Sequence, residues 1–231
     1  MLRLVRRFFS RPALMWPLLR GQWLFHRTHL LLKILPSLPA NIKRGRNVRQ
    51  QRLRCVYTDG PQSLIELGDH CIIYEDAQVG ALQGGQIHLG RNSILGKTQI
   101  FSRQKIEIGT HFMTAWNVLI QDYDSHPTQG DLRQAQVESI GLGFRPIFGG
   151  LTPAEKIQLN ACSAIARTWV PDSSPISIGN NVWVGVNACI FKGAKIGNHC
   201  VIASNSIVTA GTYDDHSVIA GSPAKVIKKL Q

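Results

Sequence analysis

Aliphatic residues recur at every sixth position between Ile176 and Thr209. The positions in phase are Ile178, Val184, Ile190, Ile196, Ile202 and Val208. An α-helix repeats near every 3.6 residues and a half-buried strand every 2, so a sustained period of six fits neither. The period is typical of a β-solenoid, in which short strands separated by tight turns place one residue per repeat in a shared core.

Two further sets of positions support this interpretation. A small or slim residue stands four positions after each of the first five aliphatic residues: Val182, Ala188, Ala194, Cys200 and Ser206. Glycine directly follows three of the aliphatic residues, at Gly179, Gly185 and Gly197. We expect these glycines to supply the backbone angles that the corners of the solenoid need.

The same period occurs upstream, from Ser63 onward. The in-phase positions are Leu67, Ile73, Val79, Leu89, Leu95, Phe101, Ile108, Thr114 and Ile120, with small residues at Cys71, Ala77 and Ser93. The phase stops at Ile120 and resumes near Ile176, so about fifty residues leave the solenoid, which is unusual for a compact domain and suggests a functional excursion. Inside it, Thr152 and Glu155 have the spacing of a capping box with proline between them, which predicts a helix from about Pro153 to Arg167.

Positive charge is concentrated at the N-terminus. The chain has a formal net charge of +12, and residues 1–54 contain 13 of the 26 Lys and Arg but no Asp or Glu. We therefore divide the chain into a basic amphipathic extension, 1–58, and a solenoid domain, 59–231, with an excursion at 127–175 and a C-terminal cap at 217–231. The cap is predicted to be a short basic helix over Ala224–Leu230 that covers the last coil.

The extension has two interpretations. Pro12 and Pro17 are expected to break it, and no apolar run reaches the ~18–20 residues that span a bilayer. Its Trp, Phe and Arg residues favour a helix lying on an anionic membrane surface, which would make the protein peripheral on the inner face of the cytoplasmic membrane. The alternative is a helical arm packed on the protein's own solenoid or on a neighbouring subunit. No recognised nucleic-acid module accompanies the charge, so nucleic acid is not an expected partner.

The five cysteines form neither a CxxC motif nor an even framework. This pattern favours free thiols in a reducing compartment. Cys71 and Cys200 fall on small-residue positions of the repeat, which predicts that they pack in the core.

The segments Pro175–Gly185 (PISIGNNVWVG) and Val218–Lys229 (VIAGSPAKVIKK) resemble the hexapeptide-repeat acyltransferases, most closely the sugar O-acetyltransferases of polysaccharide biosynthesis. The resemblance implies a left-handed parallel β-helix and homotrimers whose active sites lie between neighbouring subunits. It also implies acetyl-CoA as donor. The expected fold is thus mainly β, a hexapeptide-repeat solenoid with a helical N-terminal extension, a long loop and helix excursion, and a C-terminal capping helix.

His126 is the candidate catalytic residue. Acyl transfer to a hydroxyl requires a base for the alcohol proton, and the ordinary pKa of histidine lies near neutrality. Asp122 and Asp124 precede it by four and two residues, and either carboxylate is a candidate to orient the ring by accepting a hydrogen bond from its other nitrogen. The motif Asp-Tyr-Asp-Ser-His-Pro resembles the family segment in which histidine is the general base. The sequence contains no GxSxG motif, which would have indicated a covalent acyl-enzyme intermediate. We therefore expect direct transfer.

The resemblance also implies donor-binding positions. Trp183 matches a tryptophan that lines the acyl or pantetheine path; it is equally a candidate for burial at a trimer interface. Ala203, Ser204 and Thr209 match contacts to the pantetheine arm, and Lys225 and Lys228 match basic residues that meet the nucleotide phosphates. The chain departs from the family at Ala210, where relatives often carry lysine.

The expected function is acetyl-CoA-dependent O-acetylation of a sugar hydroxyl, on a free or lipid-linked glycan. N-acetylation of an amino sugar is the alternative within the same class. A non-catalytic membrane-bound scaffold of a glycan-synthesis complex is the alternative outside it. The γ-type carbonic anhydrases share this fold and bind zinc through three histidines; His88, His111 and His126 would have to supply them, but their spacing does not resemble that family's motif, so no metal is expected.

Overall fold

The chain divides into two compact units. The computed structural model describes the backbone of residues 12–34, 39–144 and 149–231, and the side chains of residues 20–31, 39–144 and 149–231. The solenoid unit comprises Met1–Asp122 and Ser174–Gln231, and the hairpin unit comprises Tyr123–Ser173. The predicted basic segment Met1–Phe9 lies outside the described residues.

The solenoid unit is built from three sheets whose strands alternate along the chain. Each of the first six coils contributes one strand to each sheet, and the last coil contributes only to sheets A and B. Sheet A is seven-stranded and contains β1 (Ile42–Arg44), β4 (Leu64–Leu67), β7 (Gln86–Leu89), β10 (Lys105–Ile108), β13 (Ile176–Ile178), β16 (Ala194–Ile196) and β19 (Gly211–Tyr213). Sheet B is eight-stranded and contains β2 (Arg49–Gln50), β5 (Ile72–Ile73), β8 (Ile94–Leu95), β11 (Met113–Thr114), β14 (Trp183–Val184), β17 (Val201–Ile202), β20 (Ser217–Gly221) and β21 (Ala224–Lys229). Sheet C is six-stranded and contains β3 (Val56–Asp59), β6 (Gln78–Leu82), β9 (Thr98–Ser102), β12 (Val118–Gln121), β15 (Cys189–Phe191) and β18 (Ile207–Val208).

The predicted hexapeptide-repeat β-helix is confirmed. Neighbouring strands are parallel throughout, except that β21 is antiparallel to β20. All six in-phase aliphatic residues from Ile178 to Val208 are buried, and so are the small residues Cys71 and Cys200. One upstream position differs: β9 places Ile100 in the core opposite Val79, and the half-buried Phe101 points outward, because the corner before β9 is one residue shorter than the period requires.

The solenoid begins earlier than the predicted boundary between residues 58 and 59. Ile42 and Val48 are buried, six residues apart, and β1 pairs with β4 in the register Ile42↔Ile65. The segment 42–59, taken above as part of the basic extension, is therefore the first coil. Its many arginines concealed the period because most of them occupy positions outside the core.

The corners use a different residue type from the one predicted. At one corner the left-handed backbone conformation is adopted, with φ between 55° and 62°, by Asn47, His70, Asn92, His111, Asn181, His199 and His216. Asparagine and histidine are enriched at positive φ among non-glycine residues. Their side chains form a ladder: Asn92 Nδ2 lies 3.1 Å from His111 Nε2, and the rings of His199 and His216 stack at 4.7 Å.

Glycines two positions before most of these residues serve close approach between coils. A Cβ on Gly109 would lie 2.7 Å from the carbonyl carbon of Gly179, and one on Gly179 would lie 2.7 Å from that of Gly197. A Cβ this close to backbone atoms forces the chain to move. Glycine is thus required here by its missing side chain, and the corner angle is supplied by the residue two positions later.

Helix α1 (Pro12–Ile34) packs on the first coils of the solenoid unit. The hydroxyl of Thr28, which is buried, donates to the Gln51 carbonyl at 2.9 Å, and the ring of Phe25 meets Tyr74 edge-on at 5.9 Å. The helix continues through Pro17, contrary to the prediction. Proline lacks one backbone donor, which costs stability inside a helix, but its fixed φ lies in the helical range. Of the two interpretations of the extension, packing on the protein's own solenoid is the one seen for this helix.

The C-terminal capping helix is also corrected. Ala224–Lys229 forms strand β21, which turns back after Gly221 and pairs antiparallel with β20. The edge of β20 carries unpaired backbone groups, and a strand satisfies them where a helix would leave them open. The β-branched pair Val226 and Ile227 also favours a strand.

The hairpin unit consists of a short stem and two helices. In the stem, Tyr123 bridges Ser173 and the Asp124 N–H donates to the Asp172 carbonyl at 2.9 Å. Helix α2 (Gly130–Gly143) was not predicted, whereas α3 (Pro153–Ala166) and its capping box between Thr152 and Glu155 are confirmed.

The outer faces of sheets A and B differ in chemistry. Across sheet A one outward row is polar and largely charged: Lys43, Glu66, His88, Glu107, Ser177, Lys195 and Thr212. The corresponding row of sheet B is mainly apolar: Arg49, Ile72, Ile94, Met113, Trp183, Val201, Val218 and Lys228. Met113 is 45% exposed and Trp183 is 49% exposed in the single chain.

The contact between coils at Gly109 makes a testable prediction. Gly109→Ala should lower the free energy of unfolding by about 1–3 kcal/mol, because the added Cβ is overpacked against backbone. Gly141→Ala, inside α2 with nothing within 4 Å of the new Cβ, is the matched control and should stabilise by up to ~1 kcal/mol. Denaturant titration at a fixed protein concentration measures both; equal losses in the two variants would contradict the close-approach explanation.

Candidate active site

His126 lies in the loop of the hairpin unit between the stem and α2, and its side chain is exposed. Its Nδ1 atom is 2.8 Å from Oε1 of Gln136, on α2. An amide oxygen only accepts hydrogen bonds, so the proton of this bond belongs to Nδ1. The other ring nitrogen, Nε2, then carries the lone pair that a general base needs.

Asp122 has a structural role in the solenoid unit. Its buried carboxylate accepts hydrogen bonds from the Ser102 hydroxyl at 2.6 Å and from the backbone N–H groups of Arg103, Gln104 and Lys105 at 2.8, 3.1 and 2.7 Å. These four donors occupy the carboxylate and fix the turn between β9 and β10. Asp122 was a candidate to orient His126, and the bonds seen here serve the turn.

Asp124 lies in the stem of the hairpin unit, where its backbone N–H pairs with Asp172. The hydrogen bond to the imidazole that the sequence predicted for an aspartate is made by Gln136. Gln136 was missed because it lies ten residues downstream on a helix without a clear period in the sequence.

Most of the predicted donor-binding residues share sheet B or its margin. Trp183 lies on β14, Ala203 and Ser204 directly follow β17, and Lys225 and Lys228 lie on β21. In the register of the sheet, Trp183, Val201, Val218 and Lys228 form one row across four neighbouring strands. At ~4.8 Å per strand, this row is about 14 Å long. Thr209 stands apart, at the corner after β18 in sheet C.

The histidines of the zinc hypothesis have other partners. His88 Nδ1 lies 3.6 Å from Glu66 on sheet A, while His111 is held at its corner by Asn92 and Thr110. Within the described part of the chain, no three His, Cys, Asp or Glu side chains are grouped so that they could hold a metal ion.

Four of the five cysteines have thiols whose pKa is raised by burial. All five thiols are free, and burial raises the pKa of Cys55 to about 11. Burial likewise raises the pKa of Cys71, Cys189 and Cys200. A thiol with a raised pKa is a poor nucleophile at neutral pH.

Comparison with known proteins matches a family model in the C-terminal coils and two curated relatives over short segments. Residues 175–210 match the family model described as the hexapeptide repeat of succinyl-transferase. A segment of 58 residues is 47% identical to the putative lipopolysaccharide biosynthesis O-acetyl transferase WbbJ of Escherichia coli, and covers 25% of this chain and 29% of that protein. A segment of 83 residues is 37% identical to the 2,3,4,5-tetrahydropyridine-2,6-dicarboxylate N-acetyltransferase of Staphylococcus aureus, and covers 34% of this chain and 33% of that protein.

The fold as a whole matches a solved acyltransferase. A point mutant of the N-acyltransferase AntD from Bacillus cereus, in complex with dTDP-4-amino-4,6-dideoxyglucose and coenzyme A, superposes with a TM-score of 0.57 over 88% of each chain, at 17% identity. The resemblance to hexapeptide-repeat acyltransferases is therefore confirmed in the C-terminal coils and in the fold. The matched segments of the two curated relatives span only about a third of those proteins.

The hydrogen bonds of Asp122 lead to a prediction. Asp122→Asn would place an amide NH2 against backbone N–H donors or the Ser102 hydroxyl, so the free energy of unfolding should fall by about 1–3 kcal/mol. Asp59→Asn, at an exposed position on β3, is the control and should change it by less than ~0.5 kcal/mol. If Asp122→Asn abolished activity with no loss of stability, the structural assignment would be wrong and a catalytic role would be favoured.

Proposed function

We propose that this protein is an acetyl-CoA-dependent O-acetyltransferase that modifies a sugar hydroxyl during surface polysaccharide biosynthesis. The observation that carries the proposal is His126, an exposed imidazole with Nδ1 engaged by Gln136 and Nε2 available. It occurs in a chain whose residues 175–210 match a hexapeptide-repeat model and whose relatives over shorter segments are named as acetyltransferases. The relative named as a lipopolysaccharide O-acetyl transferase supports the sugar acceptor. The acceptor is a glycan building block, free or lipid-linked.

The proposed reaction is a direct transfer. Nε2 of His126 takes the proton of the acceptor hydroxyl while its oxygen attacks the thioester carbonyl of acetyl-CoA. The tetrahedral intermediate collapses by breaking the carbon–sulfur bond, and the coenzyme A thiolate takes the proton back from the imidazolium. The products are the acetyl ester and free coenzyme A.

The donor is proposed to lie along sheet B. Trp183 borders the acyl or pantetheine path, Ala203, Ser204 and Thr209 contact the pantetheine arm, and Lys225 and Lys228 meet the nucleotide phosphates. Both lysines are exposed; Lys228 ends the Trp183 row, and Lys225 lies on the same strand, paired with Ala220, which supports this assignment. The apolar row of sheet B also supports a homotrimer, because burial of Met113 and Trp183 between subunits would remove apolar surface from water.

N-acetylation of an amino sugar is the second candidate, since the Staphylococcus aureus relative is named as an N-acetyltransferase. The chemical nature of the product separates the two: mild alkali cleaves an ester and spares an amide.

The donor and the base are tested together. Acetyl-CoA at 100 times its Kd should stabilise the protein by ~2.7 kcal/mol, seen as a rise in Tm. His126→Ala should keep this rise and lose about 10²–10⁴-fold in kcat, because only the general base is removed. Lys228→Glu should diminish the rise by repelling the phosphates, whereas Lys195→Glu on sheet A is the charge-matched control.

The outcomes discriminate the candidates. No rise in Tm with a protein that sediments as a trimer would overturn the donor assignment and favour the scaffold. A His126→Ala variant with unchanged acetyl transfer would overturn the assignment of the base. A protein that sediments as a monomer would contradict the homotrimer.

We also propose that the protein is cytoplasmic and binds the inner face of the cytoplasmic membrane through its N-terminal region. Among the described helices none has both the length and the apolar character to cross a membrane. The outward side of α1 nevertheless carries Trp23, 59% exposed, and Leu30, 57% exposed, with the Arg27 guanidinium 5.4 Å from the Trp23 ring centre. An indole beside a cation suits the headgroup layer of an anionic bilayer.

Flotation with vesicles tests this localisation. The intact protein should float with vesicles containing anionic lipid and remain behind with purely zwitterionic ones, since each basic residue near the surface contributes about 1 kcal/mol. The double variant Trp23→Ala/Arg27→Glu should float less, while Lys195→Glu, on the polar face of sheet A, should behave as the unchanged protein. An intact protein that never floats would overturn the proposal.

A further inference from the structure

The hydrogen bond between His126 and Gln136 indicates that the hairpin unit orients the imidazole ring. We propose that Gln136 is a positioning residue that holds His126 in the Nδ1–H tautomer. Nε2 is then the nitrogen that takes the proton from the sugar hydroxyl. This inference rests on the proposed function and deepens it.

The chemistry of the pair selects one tautomer. A neutral imidazole carries its proton on either nitrogen, and the proton sits where an acceptor meets it. Gln136 Oε1 is an acceptor 2.8 Å from Nδ1, which places the proton there. Without the Gln136 oxygen, the ring could rotate and carry its proton on Nε2. That nitrogen would then have no lone pair with which to act as a base.

The loop that carries His126 is fixed to the same helix that carries Gln136. Arg133, one turn before Gln136 on α2, donates from Nη1 to the carbonyls of Pro127 and Thr128 at 3.1 and 2.9 Å. Pro127 is buried. The two partners of the hydrogen bond are therefore attached to one rigid element, which limits the freedom of the exposed ring.

Helix α2 is in turn braced by α3. The hydroxyls of Ser139 and Ser163 are 2.8 Å apart, and Gln158 Nε2 donates to Glu138 at 3.3 Å. The hydrogen bonds from Gln134 and Gln158 lower the pKa of Glu138, so it remains an ionised acceptor between the helices. The hairpin thus contains a chain of contacts from α3 to α2 and from α2 to the base.

The partner of the ring is neutral, and this separates Gln136 from the aspartate of a catalytic triad. The charged side chains of α2 are Asp131, Arg133 and Glu138; Arg133 is engaged by the loop carbonyls and Glu138 by the two glutamines. A carboxylate at Nδ1 would stabilise the imidazolium and shift the pH at which the base loses its proton. An amide fixes the tautomer without adding a charge.

Two variants and two matched controls test the role. Gln136→Leu should lower kcat by about ten- to hundredfold, by analogy with other residues that orient a functional histidine, with the KM for acetyl-CoA unchanged. Gln136→Glu should keep the acceptor and move the acidic limb of the pH–rate profile upward by about one pH unit. Gln134→Leu and Gln134→Glu, two residues earlier on α2 and bonded to Glu138, should change neither kcat by that factor nor the pH limb.

Nitrogen-15 NMR of the imidazoles gives a readout that needs no turnover. The His126 signals, assigned with His126→Ala, should show the Nδ1–H tautomer in the unchanged protein and a mixture in Gln136→Leu. An Nε2–H tautomer in the unchanged protein, or identical spectra with and without Gln136, would overturn the inference. The expected NMR change in a protein that transfers no acetyl group would instead overturn the proposed function and leave the His126–Gln136 pairing established.

Discussion

The strand residues of the solenoid stack on their counterparts in the next coil, about 4.8 Å away, and this stacking limits which residue each position can hold. A core position must accept an aliphatic side chain in coil after coil, as from Ile178 to Val208. Where backbones come closest, no side chain fits, and glycine is found at Gly109 and Gly179. Where the chain must turn through a left-handed conformation, asparagine or histidine is found. The side chains of these residues also contact each other from coil to coil, as in the pair Asn181 and His199, and so form a ladder.

The hairpin unit follows a different logic. Its helices are held by polar pairs such as Ser139 with Ser163 and by few buried side chains, among them Ala135 on α2 and Cys162 on α3. Hydrogen bonds are directional and apolar contacts are not, so a small unit of this kind can fix the orientation of a ring with little core of its own. Arg133 is a further example, because a single guanidinium nitrogen donates two hydrogen bonds that hold the His126 loop against the helix.

The period of six was sufficient to predict the β-helix and most of its core. The excursion was predicted at 127–175, whereas the hairpin unit is Tyr123–Ser173. The period failed where another constraint prevails. The first coil has only Ile42 and Val48 in phase among basic residues, and charge concealed it. The C-terminal segment has the lysines and aliphatic residues of a short amphipathic helix, yet it pairs as a strand with the otherwise open edge of β20. At the site, His126 could be found from its local motif, but Gln136 could not, because its role depends on how a helix turns back toward a loop.

The hairpin leaves and rejoins the solenoid at a single point. The Ser174 N–H donates to the Asp122 carbonyl at 2.9 Å, and the next coil continues from there, with Gly193 donating to the Ser174 carbonyl at 3.2 Å. Asp122 and Ser174, which flank the inserted segment, are thus hydrogen-bonded neighbours within the solenoid unit. A segment inserted in this way can lengthen, shorten or be exchanged during evolution with no change of register in the strands on either side. The strands of sheet B, along which the donor is proposed to bind, can therefore stay the same while the inserted segment changes.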